Sequence, residues 1–154
     1  MTERFILDEN VVILAQKGEN ERGERDSTCL NLLASIIRIC HTLVVDGGLW
    51  AKYQSQLSSL GREPQTGTLV LAVLRNAFRR EGKVDYRPET NSFPEEADIP
   101  AGSRDDLAIV RLAVETKAAL VTTDAPLREV LRSSGVTGTY SLRVLSPAEA
   151  LEQL

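Results

Sequence analysis

One pattern limits the folds open to this chain more than any other: short apolar runs alternate with longer stretches whose apolar residues fall at helical spacing. Residues 5–7, 42–45, 119–123 and 142–145 are the short runs, each too brief for a stable helix and rich in Val, Leu, Ile or Thr. Helical patterns are read over residues 10–17, after Ser27 or Thr28, over 49–60, 67–80, 106–116 and 126–133, and after Ser146-Pro147. In the second of these, Leu32, Leu33, Ile36, Ile37 and Cys40 mark a core face. Strands separated by helices call for crossover connections, so an α/β fold with a mostly parallel sheet and right-handed crossovers is expected.

The 154 residues suffice for one domain with its own core, and no repeat or composition break divides residues 1–154. Residues 18–26 (GENERGERD) are polar and glycine-punctuated, and residues 82–104 hold Pro88, Pro94 and Pro100, so both are read as loops. No apolar run approaches the ~20 residues that cross a bilayer, and the opening MTERFILDEN lacks a secretory apolar stretch. A cytoplasmic protein without membrane association is the resulting expectation.

Cysteine usage and charge narrow the chemistry. Cys29 and Cys40 lie eleven residues apart in one helical segment, about 16 Å along its axis, so a disulfide is not expected and both read as small buried apolar residues. With one histidine and no cysteine pair at ligand spacing, a structural zinc site is not expected. Any bound metal would be held by oxygen, which favours Mg²⁺ or Mn²⁺. The formal charge of −4 argues against broad electrostatic coating of nucleic acid, but not against an acidic site whose own cations reverse the local sign.

In open parallel sheets, ligands bind beyond the carboxyl ends of the strands. Asp8, Asp46 and Asp124 each stand at or just past such an end. The fold would thus gather carboxylates that are far apart in sequence.

Three segments carry a family resemblance. FILDENVVIL (residues 5–14) resembles the opening of PIN domains, where a strand delivers an aspartate and an asparagine follows two positions later. DDLAIVRLAVETKAALVTTDAPL (residues 105–127) is similar to the second half of that family, with an aspartate opening a helix and a strand ending in Thr-x-Asp. RVLSPAEALEQL resembles its last strand and helix. The resemblance implies a three-layer α/β/α sandwich and places Asp8, Asp106 and Asp124 at three acidic, catalytic and metal-binding positions. Thr122 takes the hydroxyl position before the last acid. It further implies a Mg²⁺- or Mn²⁺-dependent endoribonuclease acting on single-stranded RNA, often as the toxin of a toxin–antitoxin pair. An antitoxin partner and a homodimer belong to the same expectation.

Clustered carboxylates without a cation raise one another's pKa, and a divalent ion relieves that repulsion while activating water and offsetting phosphate charge. One departure stands out. Where the family usually places a glutamate after the second strand, VVDGGLWAKYQSQL offers Lys52. An ammonium there is no metal ligand. It fits an ordinary solvated lysine, a substrate contact, or a built-in cation that weakens the site and leaves a scaffold binding RNA or protein.

The remaining candidates each have a plainer alternative. Asp46, before two glycines, fits a turn or cap as well as a ligand. Asp106 and Asp105 fit helix capping as well as metal binding. Asn10 fits a cap or a contact to substrate, and Thr122 a substrate contact or an ordinary strand position. Arg75 and Arg79 share a helix face and, with Arg80 and Lys83, form a basic rim for phosphates or a solvated helix end. Trp50 and Tyr53 fit base stacking or core packing. His41, before a strand at a helix end, is read as a surface or helix-dipole residue and not a catalytic one. Asp8-Glu9 also resembles the acidic pair of phospho-accepting receiver domains, with Asp46 as acceptor; RVLSP lacks the lysine expected before the proline.

Overall fold

The computed structural model describes residues 2–60, 69–88 and 106–154. Five strands form one all-parallel sheet in the order β3-β2-β1-β4-β5, and the fold is the expected three-layer α/β/α sandwich. The strands are β1 (Arg4–Leu7), β2 (Thr42–Asp46), β3 (Val84–Arg87), β4 (Ala119–Val121) and β5 (Val144–Leu145). The helices are α1 (Glu9–Lys17), α2 (Thr28–Arg38), α3 (Gly47–Leu60), α4 (Leu69–Phe78), α5 (Leu107–Thr116), α6 (Ala125–Ser133), α7 (Val136–Thr139) and α8 (Pro147–Glu152).

A parallel sheet covered on both faces needs strands that are apolar throughout. The three central strands meet that need, with Phe5, Ile6, Leu7, Val44, Val45, Ala119, Leu120 and Val121 wholly shielded from solvent. Helix α1 packs on α2, α3 and α4, and α2 on α8. Helix α5 packs on β4, and α6 on β5 and α7. Right-handed crossovers put these two groups on opposite faces, because the strand order runs outward from β1 in both directions.

Local chemistry sets the helix ends. Asp8 caps α1 through Glu9 N–H, and Gly18 ends that helix in the left-handed conformation, at φ 67°. Neither Ser27 nor Thr28 caps α2 with its side chain; the carboxylate of Asp26 instead accepts the Thr28 N–H at 2.8 Å. Ser146 and Glu149 form a full capping box on α8, as Ser146-Pro147 suggests. No described helix is long and apolar enough to cross a membrane.

Several expectations need correction. Residues 84–87, read as loop, are the edge strand β3. Among the described residues it pairs with β2 alone, and it is only half buried, so it carries no continuous apolar run. The third strand stops at Val121 and the fourth starts at Val144, both shorter than read. Gly47 and Gly48 form no turn and open α3 directly. Cys40 lies beyond α2 and is exposed; Cys29 alone is buried. His41 is buried too, its Nδ1 accepting the Glu3 N–H. Lys83 is no phosphate rim: its ammonium turns inward and donates to the carbonyls of Ile36, Ile39 and His41 at the end of α2. Pro94, Pro100, Asp105 and the start of the helix read from residue 67 lie outside the described residues.

Candidate functional site

Strand register builds the site. Phe5 pairs with Leu43 on one side and with Ala119 on the other. Carried forward three residues, these pairings bring Asp8 level with Asp46 and with Thr122 at neighbouring strand ends, about 4.8 Å apart across each step. The backbone continues the match past β1, since Asp8 N–H donates to Val121 O at 2.9 Å. This is also where the sheet order reverses around β1, the place where parallel sheets open a crevice.

Both aspartates are buried and tightly held. Asp8, 8% exposed, accepts Glu9 N–H on Oδ1 at 2.8 Å and the Thr122 hydroxyl on Oδ2 at 2.7 Å. Asp46, 4% exposed, accepts Leu49 N–H on Oδ1 at 2.7 Å. Among the described residues neither pairs with Lys or Arg. Their carboxylates open on a cleft of about 200 Å³ between the first turns of α3 and α5, where Asp106, Lys52, Leu49 and Leu112 complete the wall. Asp106 stands at the N-cap of α5 without closing the cap through its side chain.

Tyr53 supports the floor, and sequence reasoning did not separate it from other core residues. The stripe Leu49, Tyr53 and Leu57 turns α3 inward, and the Tyr53 hydroxyl donates to Leu7 O beneath the acids. Burial, reinforced by Asp8, Asp46 and Glu9, pushes the phenol well above its ordinary pKa. It therefore stays a proton-bearing donor at any physiological pH. The signal in the sequence is the four-residue spacing of Leu49, Tyr53 and Leu57.

The structure does not bring every expected residue to this cleft. Asp124 is exposed and faces a neighbouring cleft with Asn10 and Lys17. The reason is length: β4 ends at Val121, Thr122 takes the level of Asp8, and Asp124 overshoots by two residues into the N-cap of α6, accepting Leu127 N–H at 3.0 Å. Thr122 is fully buried; its hydroxyl donates to Asp8 and accepts the Asp124 N–H at 3.1 Å. Lys52 does line the acidic cleft, with its ammonium 4.0 Å from the Glu9 carboxylate. Arg75 and Arg79 are exposed and do not line it. Asp105 lies outside the described residues.

As donors, Asp8, Asp46 and Asp106 are hard oxygens suited to Mg²⁺ or Mn²⁺. Among the described residues no three His, Cys, Asp or Glu side chains stand close enough to share one ion. Mg²⁺ needs no such cage: it commonly takes one or two carboxylates and keeps several waters or substrate phosphates. The residue set therefore fits a hydrated ion held by Asp8 and Asp46. Compared with known proteins, the chain matches no family model, and no curated protein is significantly similar to it in sequence.

Proposed function

We propose that the cleft is the site of a Mg²⁺- or Mn²⁺-dependent endoribonuclease that hydrolyses RNA phosphodiester bonds. The observation that carries this reading is the pair of buried carboxylates, Asp8 and Asp46, level at adjacent strand ends and without a Lys or Arg partner among the described residues. Two such charges beside each other favour a cation between or above them.

Each residue then has a task. Thr122 and the Glu9 N–H fix the rotamer of Asp8, and the Leu49 N–H fixes that of Asp46, so both acids are oriented before any ligand arrives. A bound divalent ion supplies the positive charge that activates water and offsets charge on the phosphate. Asp106 faces the same cleft from the other helix layer, and Lys52 offers an ammonium to a phosphate oxygen. No histidine takes part, since His41 precedes β2 at the opposite, amino end of the sheet. The choice of RNA, of an antitoxin protein as partner and of a homodimer rests on the PIN-domain resemblance alone.

One observation favours a second reading, a weakened scaffold that binds RNA or protein without cutting. Lys52 brings a resident cation into the wall of the acidic cleft, where the resemblance calls for a glutamate. Mn²⁺ calorimetry on the wild type, Asp8→Asn and Lys52→Glu, followed by RNA cleavage assays, separates the two. The nuclease reading expects wild-type binding and cleavage, both lost in Asp8→Asn. Weak wild-type binding that Lys52→Glu strengthens, with no cleavage, selects the scaffold. If no variant binds Mn²⁺, both metal-based readings fail.

A further inference from the structure

Next to the acidic cleft, three aromatic rings from three different elements meet at the surface. Trp50 on α3 lies 4.6 Å from Phe78 at the end of α4, and Phe78 lies 6.2 Å from Tyr86 on the edge strand β3. The rings are tilted at 55° and 57° to one another, so they form a stepped strip and not a sealed stack. Phe78 is 36% exposed and Tyr86 54% exposed, so the rings present a contiguous apolar patch at the surface. The strip joins the site directly. The Tyr86 hydroxyl sits over Gly47, where an added Cβ would come within 3.0 Å of it, and Gly47 follows Asp46 in the chain.

Charge indicates what covers the strip. Arg75 lies three residues before Phe78 and shares its side of α4, and Arg79 follows Phe78 immediately. Both are exposed, and neither pairs with an acid among the described residues. Guanidinium groups with no acidic partner among the described residues, beside exposed rings, match a ligand that alternates phosphates with flat, stackable faces.

We infer that Trp50, Phe78 and Tyr86 form a base-stacking strip that delivers single-stranded RNA to the Asp46 end of the cleft, with Arg75 and Arg79 on its phosphates. This inference rests on the nuclease reading and deepens it by naming the path of the substrate and the residues that hold it. A duplex does not fit, because its bases are stacked on each other and hide their faces.

Trp50 is the only tryptophan in the chain, so its emission reports on the strip itself. The test titrates the protein with a short mixed-sequence single-stranded oligoribonucleotide in chelator, where no metal-dependent cleavage occurs. Saturable quenching of Trp50 is expected. Tyr86→Ala and Phe78→Ala should each weaken binding by about 5- to 150-fold, the loss of one stacked base. Tyr86→Ala, at a half-exposed position, is the variant least disturbing to the fold, and melting temperature checks both. Arg75→Gln with Arg79→Gln should lower the slope of log K against log salt by about 1.4, two phosphate contacts on a single strand. A ribose-phosphate chain lacking bases should bind weakly without quenching. The inference is overturned if the oligonucleotide fails to bind, or if a labelled oligonucleotide binds with Trp50 unchanged and both ring variants normal. Equal binding of the matching duplex overturns it too. So does emission that shifts with protein concentration alone as a dimer forms, which makes the strip a subunit contact. Because metal is absent, a working strip beside a cleft inert to Mn²⁺ would keep this inference and remove the nuclease reading.

Discussion

Replacing Thr122 by valine isolates the hydroxyl that orients Asp8. Valine replaces the hydroxyl by a methyl group of similar size, so at this fully buried position the change is polar and not one of volume. What is lost is the 2.7 Å hydrogen bond to the Asp8 carboxylate and the acceptor for the Asp124 N–H. A hydrogen bond to a charged group contributes about 1.5–3 kcal/mol. The Asp124 N–H lies at the exposed start of α6, where water replaces most of its partner, so it adds little. Destabilisation of about 2–3 kcal/mol is therefore expected, and for a chain of this size that lowers the melting temperature by roughly 4–12 °C. Circular dichroism during heating, with urea unfolding as a second measure, reads it. The decisive comparison repeats the substitution in an Asp8→Asn background. There the bond is neutral to neutral and worth about half as much, so Thr122→Val should cost about 1 kcal/mol less. An equal cost in both backgrounds would show that the hydroxyl does not serve the Asp8 charge, and the description of a pre-oriented carboxylate would fall.

Lys83→Met should destabilise the fold by about 2–4 kcal/mol, because the carbonyls of Ile36, Ile39 and His41 lose their shared donor at the end of α2; urea midpoints measure this, and a neutral outcome would mean water caps that helix equally well. The Ser146 N–H, with the Arg132 guanidinium beside it, holds the Glu149 carboxyl down to about 2 from 4.5. A depressed acid stabilises the fold above its unfolded pKa and loses that contribution as pH falls through the folded one, here from about pH 4.5 to 2. Glu149→Gln should flatten the melting temperature across that window. The difference should shrink in high salt, since Glu149 and Arg132 are both nearly half exposed.

The central strands and most helix starts were legible because burial and sequence pattern agree there. Residues 5–7 are wholly buried and wholly apolar, and Ser146-Pro147-Ala-Glu carries its capping box in plain view. Strand β3 was hidden because an edge strand answers to one neighbour only, and Val84-Asp85-Tyr86-Arg87 is held by ladder hydrogen bonds and the contact of Arg4 with Asp85 more than by apolar burial. Asp8 and Asp46 could be found from the rule of strand ends, but not that Thr122 would stand level with them in place of Asp124. That outcome depends on where β4 stops, and boundaries are the least readable feature of a sequence. Lys83 and His41 were assigned to the surface by residue type, and the carbonyl cage and backbone donor that permit their burial come from segments far from each in the chain.

The central position of β1 also has a consequence in time. Its first partner, β2, follows within some forty residues, but its second, β4, is more than a hundred residues further along. Closing that distance costs more chain entropy than pairing β1 with β2, so the β1–β4 seam is expected to form after the β1–β2 pair. The Thr122 hydroxyl reaches Asp8 only across that seam. A chain still emerging from the ribosome can hold Asp8 and Asp46 by the Glu9 and Leu49 N–H groups, and would gain the Thr122 hydroxyl on Asp8 only as the second half of the sheet closes.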